Sequence, residues 1–323
     1  MHMTDINVRN DAQTNQEYQR REILPNERER RVRVRTFVIP LLFMFIHTAV
    51  MIVCMFVRIF VHVLSVDRAT AAMFLDKLRD PAFYSELMIE VNVQTYASFF
   101  SMLLLIPIYL LYVYWRKRKN IQVLNRARIS FAHVASAFAI VLGSIGLTQI
   151  WMSILSQLDP SSALGIKFQE YMELMKHFEP SEGWMLVLEI ATTVILVPIG
   201  EELLFRGIIQ DEMRRAFPPA FAVVATSLIF AIFHGNFIQG SYVFFVGLAL
   251  SLAYHLTNNF YIPIGMHIVF NLVGSGAFSR LVGLTERGET ILMYVLYASI
   301  PLMIIGFFCL RYLRNKRSEV QYE

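Results

Sequence analysis

Runs of about 20 consecutive apolar residues recur from near residue 37 to near residue 310, and they constrain this chain more than any single motif. A hydrocarbon core is about 30 Å thick and a helix rises about 1.5 Å per residue, so each run is long enough to cross it. Inside lipid a backbone must satisfy its own N–H and C=O groups, and unbroken runs of this length do so as helices. The expectation is an all-α, multi-pass integral membrane protein with about eight transmembrane helices. Apolar residues make up 56% of the chain, with 26 Phe and 16 Met, which no ordinary soluble domain of this size carries. The formal charge of +4 sits at the ends of apolar runs, which argues against a nucleic-acid surface. Cys54 and Cys309 both lie inside apolar runs and read as packing residues rather than a disulfide or a metal pair.

The layout follows from these runs. Residues 1–35 are polar and end in Arg28, Arg30, Arg31, Arg33 and Arg35, a basic cytoplasmic tail expected to be mostly disordered. No cleavable leader is recognisable ahead of the first run, so that helix is expected to remain as an anchor. Residues 36–119 hold two spans, about Phe37–Val57 and Asn92–Trp115, with Arg58 at the far edge of the first. Between them, residues 67–91 read as an amphipathic interfacial helix broken at Pro81. A core of six further spans occupies residues 120–318: Ile129–Leu158, one from Trp184, Ala220–Phe237, Ser241–Leu256, Ile262–Val282 and Glu289–Leu310. The segment Pro160–Gly183 places Leu164, Phe168, Tyr171, Met172, Met175 and Phe178 at helical spacing, a connector along the outer surface. With both termini cytoplasmic, 20 Lys and Arg fall in cytoplasmic segments and 7 outside, a consistent positive-inside arrangement.

Three polar clusters interrupt the apolar core. Charges at membrane depth cost roughly 2.5–3.5 kcal/mol each even on lenient scales, so they persist where they are paired or working. In Glu201-Glu202-Leu203-Leu204-Phe205-Arg206, Glu202 and Arg206 are four apart and share a helix face, while Glu201 points elsewhere and is the freer carboxylate. A carboxylate in low dielectric beside a cation is suited to taking a proton from water. His234 follows Phe230 by four, and Glu201 and His234 lie at matching distances from the Phe217-Pro218 turn, so they could share that water. His267 and Asn271, again four apart, supply two hydrogen-bond donors of the kind an oxyanion needs. Glu201, His234 and His267 could instead ligate Zn²⁺, although no HExxH is present. The absence of GxSxG and of a placed Cys nucleophile disfavours serine and thiol mechanisms. Straight helices would leave His267 about 12 Å shallower than His234. Either the Gly235–Gly240 turn is recessed, or the polar stretch Gln210–Arg215 projects into the cytosol.

In this order, EExxxR at 201–206, FxxxH ending at His234 and HxxxN at 267–271 resemble the CPBP family of intramembrane proteases (CAAX protease and bacteriocin-processing, Abi) over roughly residues 120–315. The resemblance implies peptide-bond hydrolysis in or near the bilayer. Glu201 and His234 would activate water, His267 and Asn271 would stabilise the oxyanion, and Glu202 and Arg206 would support Glu201. It leaves zinc and metal-free mechanisms both open. It also implies a bacterial-type plasma-membrane enzyme acting on a hydrophobic or membrane-anchored peptide, surrounded by lipid, with the tail and first two helices free to engage a membrane-protein partner. The competing readings are a non-catalytic membrane scaffold or immunity protein, and a transporter whose charges line an ion path.

Overall fold

The computed structural model describes residues 31–77, 80–176 and 183–320. Most of the tail, residues 1–30, and Phe178 of the connector lie outside the described residues. Every apolar run is helical, and among the described residues the sole β pairing is an isolated bridge between Arg126 and Asn259. In chain order the helices are α1 (Val34–Ser65), α2 (Arg68–Lys77), α3 (Pro81–Glu90), α4 (Val93–Arg118), α5 (Phe131–Ser156) and α6 (Ala163–Lys176). Then come α7 (Gly183–Ala216), α8 (Pro219–Phe233), α9 (Phe237–Thr257), α10 (Tyr261–Gly274), α11 (Ala277–Val282), α12 (Glu286–Ala298) and α13 (Ile300–Val320). This is an all-α multi-pass membrane fold.

Among the described residues five helices are long and apolar enough to cross a membrane, and a sixth is counted if α12 and α13, bent by 43°, form one span. The bend falls where Pro301 enters α13 without a backbone N–H. The other two expected spans are shorter than a full crossing: α8 has 15 residues and α10 has 14, so at 1.5 Å per residue they reach about 21–22 Å. A helix of that length entering at Pro219 ends inside a core of about 30 Å, which favours the recessed Gly235 turn. Gln210, Asp211 and Glu212 are buried against neighbouring helices of the protein.

The first helix also differs from its expected extent. It continues past Val57 to Ser65, so Arg58 is a mid-helix residue. Its Nε donates to Val91 O (3.0 Å) and its guanidinium lies 4.5 Å from the Tyr96 ring centre, which ties α1 to the start of α4. The segment around Pro81 forms two helices, and Phe74, Leu87 and Val91 pack with Ile59 and Val63 of α1.

Five packing devices place the site. Along α5, Gly143 and Gly146 admit the backbone of Leu296 and Ser299, and Gly306 of α13 approaches Ser136 O, the small-residue packing that membrane helices use for close contact. Between α8 and α9, a Cβ on Gly247 would lie 3.1 Å from the Phe230 ring and 3.4 Å from Ser227 Cα. At the end carrying the basic runs, Arg116 of α4 pairs with Glu212 of α7 (2.8 Å), and Asp211 accepts from both Arg214 and Arg215. The linker before α5 is pinned to the α9–α10 turn: Phe260 N donates to Asn125 O (2.8 Å), Ala127 N to Asn258 O (3.0 Å), and Asn125 Nδ2 to Asn258 Oδ1. Asn258 takes the left-handed conformation there, φ 51°, which Asn tolerates well. The connector α6 buries Phe168 and Tyr171 against Leu155 and Ile238, and Tyr171 reaches the hydroxyl of Tyr242 (3.1 Å).

Candidate active site

The polar residues that the sequence singles out lie on α7, α8 and α10. Helix α7 is not a regular α-helix. Residues Ile190–Leu196 and Leu203–Ile209 are π-helical, and the short α-helical turn between them, Val197–Glu202, carries the two glutamates. Isolated π segments concentrate at functional sites. The first has an identifiable cause: Val197 N donates five residues back to Thr192 O, and residue 198 is proline, with no N–H to give. The Thr193 carbonyl is thereby available, and Asn271 Nδ2 of α10 donates to it (2.8 Å). Asn271 is thus anchored by a backbone group that a regular helix would have consumed.

Glu202 and Arg206 are both fully buried, and Arg206 Nη1 donates to Glu202 Oε1 at 2.7 Å. The guanidinium has two further partners, Gly247 O (Nη2 donor, 3.2 Å) and the Phe230 ring, 4.7 Å from its centre. Gly247 therefore serves twice, letting α8 approach and presenting its carbonyl. An ion pair in low dielectric needs its remaining hydrogen-bonding capacity met, and these contacts meet part of it: Glu202 Oε2 and Arg206 Nε are buried without a hydrogen-bond partner. The side chain of Glu201 is 14% exposed, so the two adjacent carboxylates sit in different surroundings.

His267 joins them. Its Nδ1 donates to Glu202 Oε1 (2.8 Å), and its Nε2 lies 3.7 Å from Glu201 Oε2. The imidazole therefore stands between both carboxylates, a link the sequence did not reveal, since it spans 65 residues. His234 caps the end of α8, and its Nδ1 donates to Phe230 O at 2.8 Å. That bond fixes the tautomer and leaves Nε2 with a free lone pair. Phe230 is the hub beneath these groups: its ring meets His234 edge-on at 4.8 Å, His267 at 5.9 Å and Phe205 at 4.7 Å.

The six sequence-derived residues thus lie on α7, α10 and the end of α8, and Arg206, His234 and His267 meet at the Phe230 ring. No hydrogen bond or ion pair among the described residues joins Glu201 to His234. Among the described residues no group of three or more His, Cys, Asp or Glu is drawn together as a metal site would require, so Glu201, His234 and His267 do not fit a metal ion as they stand.

Residues 183–273, from the first residue of α7 nearly to the end of α10, match the family model described as Rce1-like, type II CAAX prenyl endopeptidase. The match covers less than a third of the chain and includes every residue of the site. It bears out the family-level resemblance drawn from the three motifs, and the family implies a membrane protease. No curated protein and no solved structure matches the chain.

Proposed function

We propose, for a chain whose residues 183–273 carry an Rce1-like CAAX prenyl endopeptidase core, that it is an intramembrane endopeptidase of the glutamate type. Its substrate class is a hydrophobic or lipid-anchored peptide. The observation that carries this reading is His267 held between Glu202 at 2.8 Å and Glu201 at 3.7 Å, with Asn271 one turn further along α10. Glu201 takes a proton from a water that the free Nε2 of His234 helps to orient, and the water oxygen attacks the scissile carbonyl carbon. The oxyanion that forms receives hydrogen bonds from the second Nδ2 proton of Asn271 and from Nε2–H of His267. Because Nδ1–H is given to Glu202, a donor role for His267 at the oxyanion needs a proton on Nε2 as well. Glu201 then returns its proton to the leaving amine as the C–N bond breaks, giving a carboxylic acid and an amine. Glu202 and Arg206 hold the ring and the helix in register and do not touch the reacting atoms.

A farnesylated reporter peptide ending in Cys-aliphatic-aliphatic-X, with fluorophore and quencher across the bond after the cysteine, tests activity of the purified protein. Peptides that differ between membranes of cells carrying wild type and Glu201→Gln report substrates of other kinds. Loss of a positioned general base lowers turnover by about 10²–10⁴-fold. Unchanged reporter cleavage and unchanged peptides in Glu201→Gln overturn the reading. Cellular function that survives Glu201→Gln and is lost on deleting residues 1–35 supports the scaffold reading instead.

A further inference from the structure

The linker before α5, the α9–α10 turn and the end of α13 meet at one junction, and basic side chains gather there. Arg317 of α13 reaches both other stretches: its Nη1 donates to Thr257 O (3.2 Å) and its Nη2 to Arg128 O. One turn earlier, Arg314 Nη1 donates to His255 Nε2. The acceptors of Arg317 are two carbonyls, which satisfy its N–H groups and leave its charge uncompensated. Arg126 and Arg128 of the linker are exposed, and the Arg126 guanidinium lies 5.4 Å from the Tyr261 ring centre. The three stretches are poor in counter-charge, because no Asp or Glu occurs in residues 91–158, 213–285 or 290–318. Asp211, whose neighbour Arg214 reaches Val123 O of the same linker, is already paired with Arg214 and Arg215. Tyr261 and Tyr312, 53% and 65% exposed, stand on two of these stretches, and exposed tyrosines at helix ends belong to the boundary between lipid and water. A basic pocket between membrane helices at that boundary is where lipid phosphates lie.

We propose that this junction binds the phosphate of an anionic phospholipid headgroup, in the leaflet at the basic end of the protein. Arg126 and Arg128 supply exposed guanidiniums, whose planar forks give paired hydrogen bonds to phosphate oxygens. Arg314 and Arg317 supply the charge behind them. Charge complementarity selects an anionic occupant, and the position at the lipid boundary selects a lipid over a soluble anion. The consequence reaches beyond the surface. The turn at this junction is the one pinned to Asn125 and Ala127 of the linker, and α10 begins at Tyr261, less than two turns before His267. A phosphate shared between the linker and α13 ties together the stretches from which α10 rises, and so stabilises the helix that carries His267 and Asn271. None of this depends on the endopeptidase reading.

Thermal unfolding of the purified full-length protein in neutral detergent tests it, with dioleoyl phosphatidylglycerol, the same amount of dioleoyl phosphatidylcholine, or inorganic phosphate added. A ligand at about 100 times its Kd raises the unfolding temperature of a protein this large by about 5 °C. Phosphatidylglycerol is expected to do so, and phosphatidylcholine and phosphate to give under about 2 °C. Arg126→Gln/Arg128→Gln removes exposed side chains alone and keeps the Arg128 carbonyl that Arg317 uses, so the variant should fold and lose at least half of the increment. Lys117→Gln/Arg118→Gln, an equal loss of exposed charge at the same end, should keep it. Native mass spectrometry of wild type in an equal mixture of the two lipids should show phosphatidylglycerol retained in preference. Equal stabilisation by both lipids, a full increment in Arg126→Gln/Arg128→Gln, or no lipid preference in the mass spectra overturns the proposal. So do equal losses in the two double variants, which leave a general attraction of basic surface for anionic lipid. Phosphate that stabilises as much as phosphatidylglycerol overturns the lipid assignment in favour of a soluble anion.

Discussion

Replacing Arg206 by Met removes a fully buried guanidinium and leaves Glu202 charged and equally buried. Breaking such a pair costs about 3–5 kcal/mol, most of it the penalty of the stranded charge. Glu202 keeps one partner, since His267 Nδ1 still donates to Oε1, which places the loss near the lower end, about 3 kcal/mol. At about 2 °C per kcal/mol, the low end of the range for 150–250-residue proteins because the shift shrinks with size, thermal unfolding of the detergent-solubilised protein should fall by about 6 °C. The informative comparison is the double variant Glu202→Gln/Arg206→Met. Gln retains an oxygen acceptor for His267 but carries no charge, so the pair is removed without stranding a carboxylate, and the double variant should be more stable than Arg206→Met alone. Unfolding followed by intrinsic tryptophan fluorescence, with size-exclusion profiles confirming monodisperse protein, reads both shifts. A fall under 2 °C in Arg206→Met, or a double variant as unstable as the single one, would refute the assignment of Arg206 as the buried counter-charge of Glu202.

Gly247→Ala places a methyl carbon 3.1 Å from the Phe230 ring and 3.4 Å from Ser227 Cα, an overpacking expected to cost about 1–3 kcal/mol and to lower the unfolding temperature accordingly; an unchanged midpoint would show that α8 and α9 yield freely. Asn271→Ala removes both the tie to Thr193 O and an oxyanion donor, so kcat on the farnesylated reporter should fall about 10²–10³-fold with little change in KM; an equal rise in KM with kcat intact would make Asn271 a binding residue only.

What the sequence determined follows from local rules. Apolar runs of bilayer length dictate helices because lipid offers the backbone no other partner, and all of those runs are helical. Four-residue spacing placed Glu202 with Arg206, and Phe230 with His234, because residues four apart share a helix face whatever surrounds them. Tertiary structure decided the rest, because it depends on register between helices and on where each backbone departs from the regular pattern. The bond from His267 to Glu202, the anchoring of Asn271 on a carbonyl released by Pro198, and the burial of Gln210–Glu212 each join or cover residues across different elements. So does the hydrogen bond between His47 of α1 and Tyr109 of α4, residues that are 62 apart and signal nothing individually. A sequence repeats its periodicity faithfully but carries no marker for helix depth, and at this site depth is what brings the carboxylates, imidazoles and carboxamide together.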